Sequence, residues 1–196
     1  MKEIVIATKN KHKFFEIVAI MSNIKCKFLF AGDFPELPDI EETGDTLLEN
    51  ALLKAQKTSL FFNKTCIAED TGFFVKKLEG RPGIYSSRYS GACCCEKANR
   101  KKILSELGNT KDREAYFATV AVLYHPIKGL LKKSEGKVLG QVLITEKGEN
   151  GFGYDSIFVP IHHEKTYAEM HDLEKNMMSH RYLAMIGLID TIKYLD

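Results

Sequence analysis

The sequence predicts a mixed α/β fold built as one unit. Three observations carry this reading. Short β-rich runs alternate with segments of helical spacing, one long antiparallel hairpin interrupts that alternation, and no repeat, low-complexity tract or linker divides the 196 residues. At 44% hydrophobic and 28% charged, the chain holds enough apolar residues for a real core.

Lys2–Thr8 reads as a buried strand. Asn10 then opens a helix to about Met21, because Phe14, Ile17, Val18 and Met21 recur at helical spacing. Lys25–Ala31 is a second strand, and Gly32–Asp45 an acidic loop with Pro35, Pro38 and Gly44. Thr46 caps a helix to about Phe62, with Glu49 at capping-box spacing. Lys64–Ala68 is a short apolar strand that runs into Glu69 and Asp70, and a turn is expected at Thr71-Gly72. A loop with Gly80, Pro82 and Gly83 follows, then a helix over Cys94–Leu107 ended by Gly108. Arg113–His125 and Leu130–Leu139 form the hairpin across Pro126–Gly129. Glu149–Asp155 is a Gly-aromatic loop, and Ser156–Pro160 a short strand. The end is helical: a segment near Leu173–Met178, then a helix from Ser179 as N-cap to about Tyr194.

Composition excludes several classes. A net charge of +2 gives no general attraction to nucleic acid or membrane, and the basic clusters are short, such as Arg100-Lys101-Lys102 on a helix face. No apolar run approaches the roughly 18 residues of a membrane span. The opening MKEIVIATKN reads as a first strand and not a secretory signal. Five cysteines, three of them consecutive at Cys93-Cys94-Cys95, suit neither a disulfide framework nor a paired-spacing zinc site. The triple cysteine reads as filler near a helix start, and the setting as a reducing cytoplasm.

Four constellations can carry chemistry beside the strand that ends in Glu69-Asp70. That carboxylate pair at a strand mouth needs a cation, a proton or donors to face, although for a lone Glu-Asp a charged strand end in water is the simpler reading. Thr8-Lys9-Asn10-Lys11-His12-Lys13 sits where a strand gives way to a helix, an anion-friendly place. It is also an ordinary Asn-capped first turn. There is no GxGxxG or GxxxxGK[ST], so neither a dinucleotide fold nor a P-loop is supported. Glu41-Glu42-Thr43-Gly44 can supply oxygens to Mg²⁺ before the Thr46 helix. In Gly151-Phe152-Gly153-Tyr154-Asp155 the glycines let the backbone bend close to a ligand, while Phe152 or Tyr154 offers a flat face and Asp155 an acceptor. Glu174-Lys175-Asn176 and Ser179-His180-Arg181 bring donors to a helix start. Together these are the parts for a nucleoside triphosphate with Mg²⁺.

ATKNKHKFFE, EETGDTLLENALLKA, AEDTGFFVKKLEGRPGIYSSRYSG, NGFGYDSIF and TYAEMHDLEKNMMSHR occur in this order. With these motifs the chain resembles the inosine triphosphate pyrophosphatase (ITPase) family from residue 2 to the last helix. The resemblance implies an α/β fold with a long curved mixed β-sheet flanked by helices, as two lobes with a central cleft. It implies one ITPase-like domain over the whole chain, hydrolysis of ITP, dITP and XTP to the monophosphate and pyrophosphate with Mg²⁺, and a homodimer. By motif, Thr8, Asn10 and Lys13 hold the phosphates. Asp70 binds Mg²⁺ and serves as general base with Thr71 beside the substrate, and Glu41 assists the metal. Phe152, Gly153, Tyr154 and Asp155 form the base pocket, closed by Lys175, His180 and Arg181. Lys9 stands where the family often has Gly, Glu69-Asp70-Thr71 replaces Asp-Asp-Ser, and Ser156 replaces a Pro. The alternatives are a Maf-like pyrophosphatase acting on pyrimidine or modified nucleotides, and a nucleotide-binding regulator without turnover.

Overall fold

The computed structural model describes residues 2–91 and 95–195. In chain order its elements are β1 (Lys2–Ile6), α1 (Lys11–Ile20), β2 (Cys26–Phe30), α2 (Leu47–Phe62), β3 (Cys66–Val75), β4 (Pro82–Gly83), α3 (Glu96–Leu107), β5 (Glu114–His125), β6 (Gly129–Val142), β7 (Phe158–Pro160), α4 (Asp172–Asn176), α5 (His180–Ile186) and α6 (Ile189–Lys193). The strands make one mixed sheet in the order β2-β1-β3-β5-β6-β7, with β4 on β3. β1 pairs parallel with β2 and β3, while β3–β4 and β6–β7 are antiparallel. No helix among the described residues is long and apolar enough to cross a membrane.

The chain divides into two compact units. Unit 1 holds residues 1–70, 119–136 and 180–196; unit 2 holds 71–118 and 137–179. In unit 1 the period-two alternation of strands builds two layers of core. Ile4, Ile6, Ile67, Ala121 and Leu123 face α1, α5 and α6 through Ile17, Met21, Ala184, Met185 and Ile192. Ala7, Cys66, Ala68 and Val122 face α2 through Ala51 and Ala55. Each fully buried Ile or Leu contributes about 1.5–3 kcal/mol to that packing. The small residues on the α2 side let that helix lie close to the sheet. In unit 2, Phe73, Phe117, Tyr154, Phe158 and Tyr167 form an aromatic core with Ile103 and Leu107 of α3.

Most expected elements occur with ends moved by a residue or two, as fraying and capping allow. β1 stops at Ile6, two residues short of Thr8, and the helix expected from Cys94 begins at Glu96 with Cys95 at its N-cap. Cys93 and Cys94 lie outside the described residues. The second hairpin strand continues to Val142, and the strand expected from Ser156 begins at Phe158.

Two differences are larger. No turn follows Asp70: β3 runs unbroken through Thr71 and Gly72 to Val75. The last helix is two, with a break at Gly187-Leu188. A Cβ at Gly187 would stand 2.0 Å from Ser134 Oγ of β6, so close packing on the sheet demands glycine there, and glycine weakens the helix.

Candidate active site

In unit 1 the loop after β1 delivers the first group of side chains. Thr8 Oγ1 accepts from the Asn10 amide at 3.1 Å, and Asn10 Oδ1 accepts from the Lys13 amide at 3.2 Å. These bonds bend the chain from strand into α1 and leave Lys13 on the first turn. Its ammonium stands 2.9 Å from Glu69 Oε1. Lys9 donates to Leu37 O at 3.3 Å and to Asp39 Oδ1 at 2.5 Å, tying this turn to the acidic loop.

Glu69 and Asp70 do not face one cation. They are interior to β3, so their side chains take opposite faces of the sheet. Glu69 follows Ile67 to the face of α1 and α5, where it meets Lys13 and, at 3.1 Å, Arg181 Nη2. Arg181 also donates to Glu16 of α1. Asp70 follows Cys66 and Ala68 to the face of α2, where Lys54 Nζ donates to its Oδ1 at 2.8 Å and to Glu42 Oε1 at 2.5 Å. The strand can thus carry two buried carboxylates in sequence because each finds its own cation. The acid brought to Lys54 and Asp70 is Glu42, whereas the motif pointed to Glu41, which is exposed. Gly44 sets this register, since its amide donates to Asn50 Oδ1 at 2.8 Å and a Cβ there would stand 2.5 Å from that of Glu49.

Electrostatics follow from this arrangement. Burial pushes the Glu69 carboxyl up, but Arg181 and Lys13 outweigh it and hold it well below the ordinary range. Burial also pushes Asp70 up; Lys54 pulls against it, nearby Glu42 adds to it, and the net direction is upward. Burial would lower the Lys54 ammonium, but Asp70 and Glu42 keep it raised. Asp70 Oδ2 is buried and accepts no hydrogen bond among the described residues.

Unit 2 holds the Gly-aromatic loop. Asp155 Oδ2 accepts from Lys175 Nζ at 2.5 Å and from the Phe152 amide at 2.9 Å. Gly151, at φ +72°, is needed here because a Cβ would stand 2.1 Å from that carboxylate oxygen. Phe152 is half-buried, with the Lys175 ammonium 4.9 Å from its ring centre. Tyr154 does not offer a flat face to a ligand. Its ring stacks on Phe73 at 4.7 Å and its hydroxyl donates to Ser86 O at 2.7 Å, so it belongs to the core. Gly153, Asp155 and Lys175 stay with Phe152 in unit 2, where Thr71 also lies, while His180 and Arg181 open α5 in unit 1 and are buried.

A model of the Ham1 family matches residues 4–191, nearly the full length and both units. The chain belongs to the Ham1 family. A protein of Oceanobacillus iheyensis named dITP/XTP pyrophosphatase is 41% identical to this Ham1 chain over 184 residues, covering 92% of this chain and 93% of the relative. One of Staphylococcus aureus with the same name is 42% identical over 183 residues, covering 92% and 91%. Among solved structures, the Ham1 protein of Staphylococcus aureus matches with a TM-score of 0.85 at 39% identity, covering 98% of each chain. That of Coxiella burnetii matches at 0.88 and 34%, covering 100% of each. The mixed sheet flanked by helices is therefore the Ham1 fold.

Lys54 lies near the end of the EETGDTLLENALLKA motif of this Ham1 chain, where the sequence reading assigns it no role. The signal for it is spacing: Asn50 and Lys54 lie one helical turn apart, so the residue that holds Gly44 shares a face with the one that holds Glu42 and Asp70.

Proposed function

We propose that this protein hydrolyses the non-standard purine nucleoside triphosphates ITP, dITP and XTP to the monophosphate and pyrophosphate, with Mg²⁺, and so removes them from the nucleotide pool of the cytoplasm. The names of its relatives support the substrate class. The observation that carries the chemistry is Asp70, buried in β3 with Oδ1 held by Lys54 and Oδ2 accepting no hydrogen bond among the described residues.

These residues fit a divalent cation. A buried carboxylate oxygen without a donor favours a positive charge, and Mg²⁺ takes one or two carboxylates and completes its shell with water and phosphate oxygens. No group of three or more His, Cys, Asp or Glu is placed to hold a metal among the described residues, which leaves the other positions to substrate and water. Asp70 and Glu42 would hold the ion, in place of Asp70 and Glu41. When bound, it supplies positive charge to the phosphate oxygens.

Asp70 takes the proton of a water that attacks the α-phosphorus in line. The bond from that phosphorus to the α–β bridging oxygen breaks, and its electron pair leaves with pyrophosphate. Lys54 fixes Oδ1 and so aims Oδ2. Thr8 and Asn10 shape the turn that presents amide donors and Lys13 to the phosphates, and Thr71, next to Asp70 in β3, contacts the substrate. Phe152 stacks on the base, Gly153 gives it backbone room, Asp155 accepts from N1–H, and Lys175 donates to the 6-keto oxygen. Tyr154 supports this loop from the core. Arg181 keeps Glu69 in place behind Lys13, and His180 opens the same helix. The protein acts as a homodimer; this rests on family resemblance, and sedimentation that gives only the monomer mass at micromolar concentration counts against it.

Adenine reverses both hydrogen-bonding atoms of hypoxanthine and would leave buried polar groups unmatched. A site built on such bonds discriminates by about 10⁴-fold or more, against roughly 10²-fold for an apolar pocket. Turnover with Mg²⁺, read as pyrophosphate release, is compared on ITP, XTP, GTP, ATP and UTP. The expected result is ITP and XTP far above ATP, with GTP between but nearer ATP. Equal rates on ITP and ATP, or a preference for UTP, overturn the proposal.

A further inference from the structure

Arg100 lies in α3, in the basic run Arg100-Lys101-Lys102, and nothing in the chemistry above uses it. Its guanidinium reaches out of the helix to the Gly-aromatic loop of the same unit. Nη1 donates to Gly153 O at 2.8 Å, and Nε donates to Glu146 Oε2 at 2.8 Å. Glu146 Oε2 also accepts from Ser156 Oγ at 3.0 Å, on the far side of the loop.

Other bonds of the loop lie on either side of Gly153. Tyr154 is stacked in the core and bonded to Ser86, and Asp155 is bonded to Lys175 and to the Phe152 amide. Gly153 between them has a left-handed φ of +61°, and a Cβ built there meets nothing within 4 Å. A Cβ at Gly153 would point into open space, and a glycine with a left-handed φ is a position where a loop backbone reorients easily. Arg100 gives this peptide a bond from another element, and a planar fork can donate to a carbonyl and a carboxylate at once where an ammonium cannot match the geometry.

We propose that Arg100 is a positioning residue for the purine base: it fixes the Gly153 carbonyl, and through that peptide the placement of the Phe152 ring, and Glu146 with Ser156 fixes Arg100. This rests on the reading of the loop given under Proposed function. The role concerns binding of the base and not the phosphate chemistry, which lies with Asp70, Lys54 and Lys13. The guanidinium borders a small polar cavity of about 200 Å³ with Glu96, Glu146 and Asn150, so water can reach the Gly153 carbonyl when the side chain is truncated.

Wild-type protein, Arg100→Ala and Arg100→Lys are compared for ITP turnover and for inhibition by pyrophosphate, which carries no base. Arg100→Ala raises KM for ITP by about tenfold with kcat changed by less than about twofold, the pattern of lost uniform binding. Arg100→Lys recovers part of the KM. The inhibition constant of pyrophosphate stays unchanged, which separates placement of the base from general loosening of the protein. An unaltered KM, a fall in kcat alone, or pyrophosphate inhibition that weakens in step with KM overturns the assignment. If the wild-type protein releases no pyrophosphate from ITP, the functional reading fails and this inference with it; if it does and the variants behave as wild type, only the role of Arg100 fails.

Discussion

Glu69 and Arg181 stand 112 positions apart and meet at 3.1 Å with both side chains buried. The pair joins the middle of β3 to the start of α5, and Lys13 adds a second cation at the same Glu69 oxygen. Behind it, on the other face of the same strand, Asp70 meets Lys54. One strand thus carries two buried carboxylates on opposite faces, each beside its own cation.

The Glu69 pair governs stability. Glu69→Gln keeps the shape but leaves Arg181 and Lys13 with less negative charge, and breaking a buried pair costs about 3–5 kcal/mol. Because the folded carboxyl is held below its ordinary value of 4.5, the pair stabilises the fold above that pH. That contribution falls away as the pH drops below 4.5 through the folded value, since the unfolded chain takes up the proton first. Urea unfolding at neutral and acid pH checks both statements: the deficit of Glu69→Gln against wild type is largest at neutral pH and narrows in acid. A deficit that is absent at neutral pH refutes it.

Asp70→Asn removes the proposed base while keeping the size of the side chain. Loss of a general base lowers the rate by about 10²–10⁴-fold, with nucleotide binding partly retained. Single-turnover rates beside equilibrium binding of ITP make the comparison. A variant that keeps more than about a tenth of wild-type kcat shows that Asp70 is not the base.

Lys13→Ala is expected to raise KM for the triphosphate and lower kcat, because charge on the phosphate oxygens shifts in the transition state. It also removes one of the cations on Glu69, so unfolding is measured alongside. An unchanged kcat/KM would return the Thr8–Lys13 turn to the role of an ordinary helix cap.

Gly136→Ala tests how α5 lies on the sheet. A Cβ at Gly136 would stand 2.0 Å from His180 O and 2.7 Å from the Ala184 amide nitrogen, both backbone atoms that cannot turn aside. Overpacking of this kind costs about 1–3 kcal/mol or more. A urea midpoint equal to wild type would mean that β6 and α5 are not in this close contact.

The sequence by itself determined the features that depend on neighbours along the chain. Asn10 caps α1, Thr46 and Glu49 form the capping box of α2, Gly108 ends α3, and β5 and β6 follow each other across a short turn, all as their local patterns require. Such signals are legible because a cap or a turn is satisfied within four or five residues. The tertiary structure alone decided what each charge faces. Glu69 and Asp70 look like one acidic pair in the sequence, yet the pleat sends them to opposite faces, toward Arg181 and Lys54. Glu42 and not Glu41 comes to Lys54, Tyr154 turns into the core, Arg100 reaches Gly153, and the final helix breaks where Gly187 lies against Ser134. The physical reason is common to all of these. A buried charge or a close backbone contact is settled by a partner distant in sequence, and its cost or benefit exists only after the sheet has brought the two together.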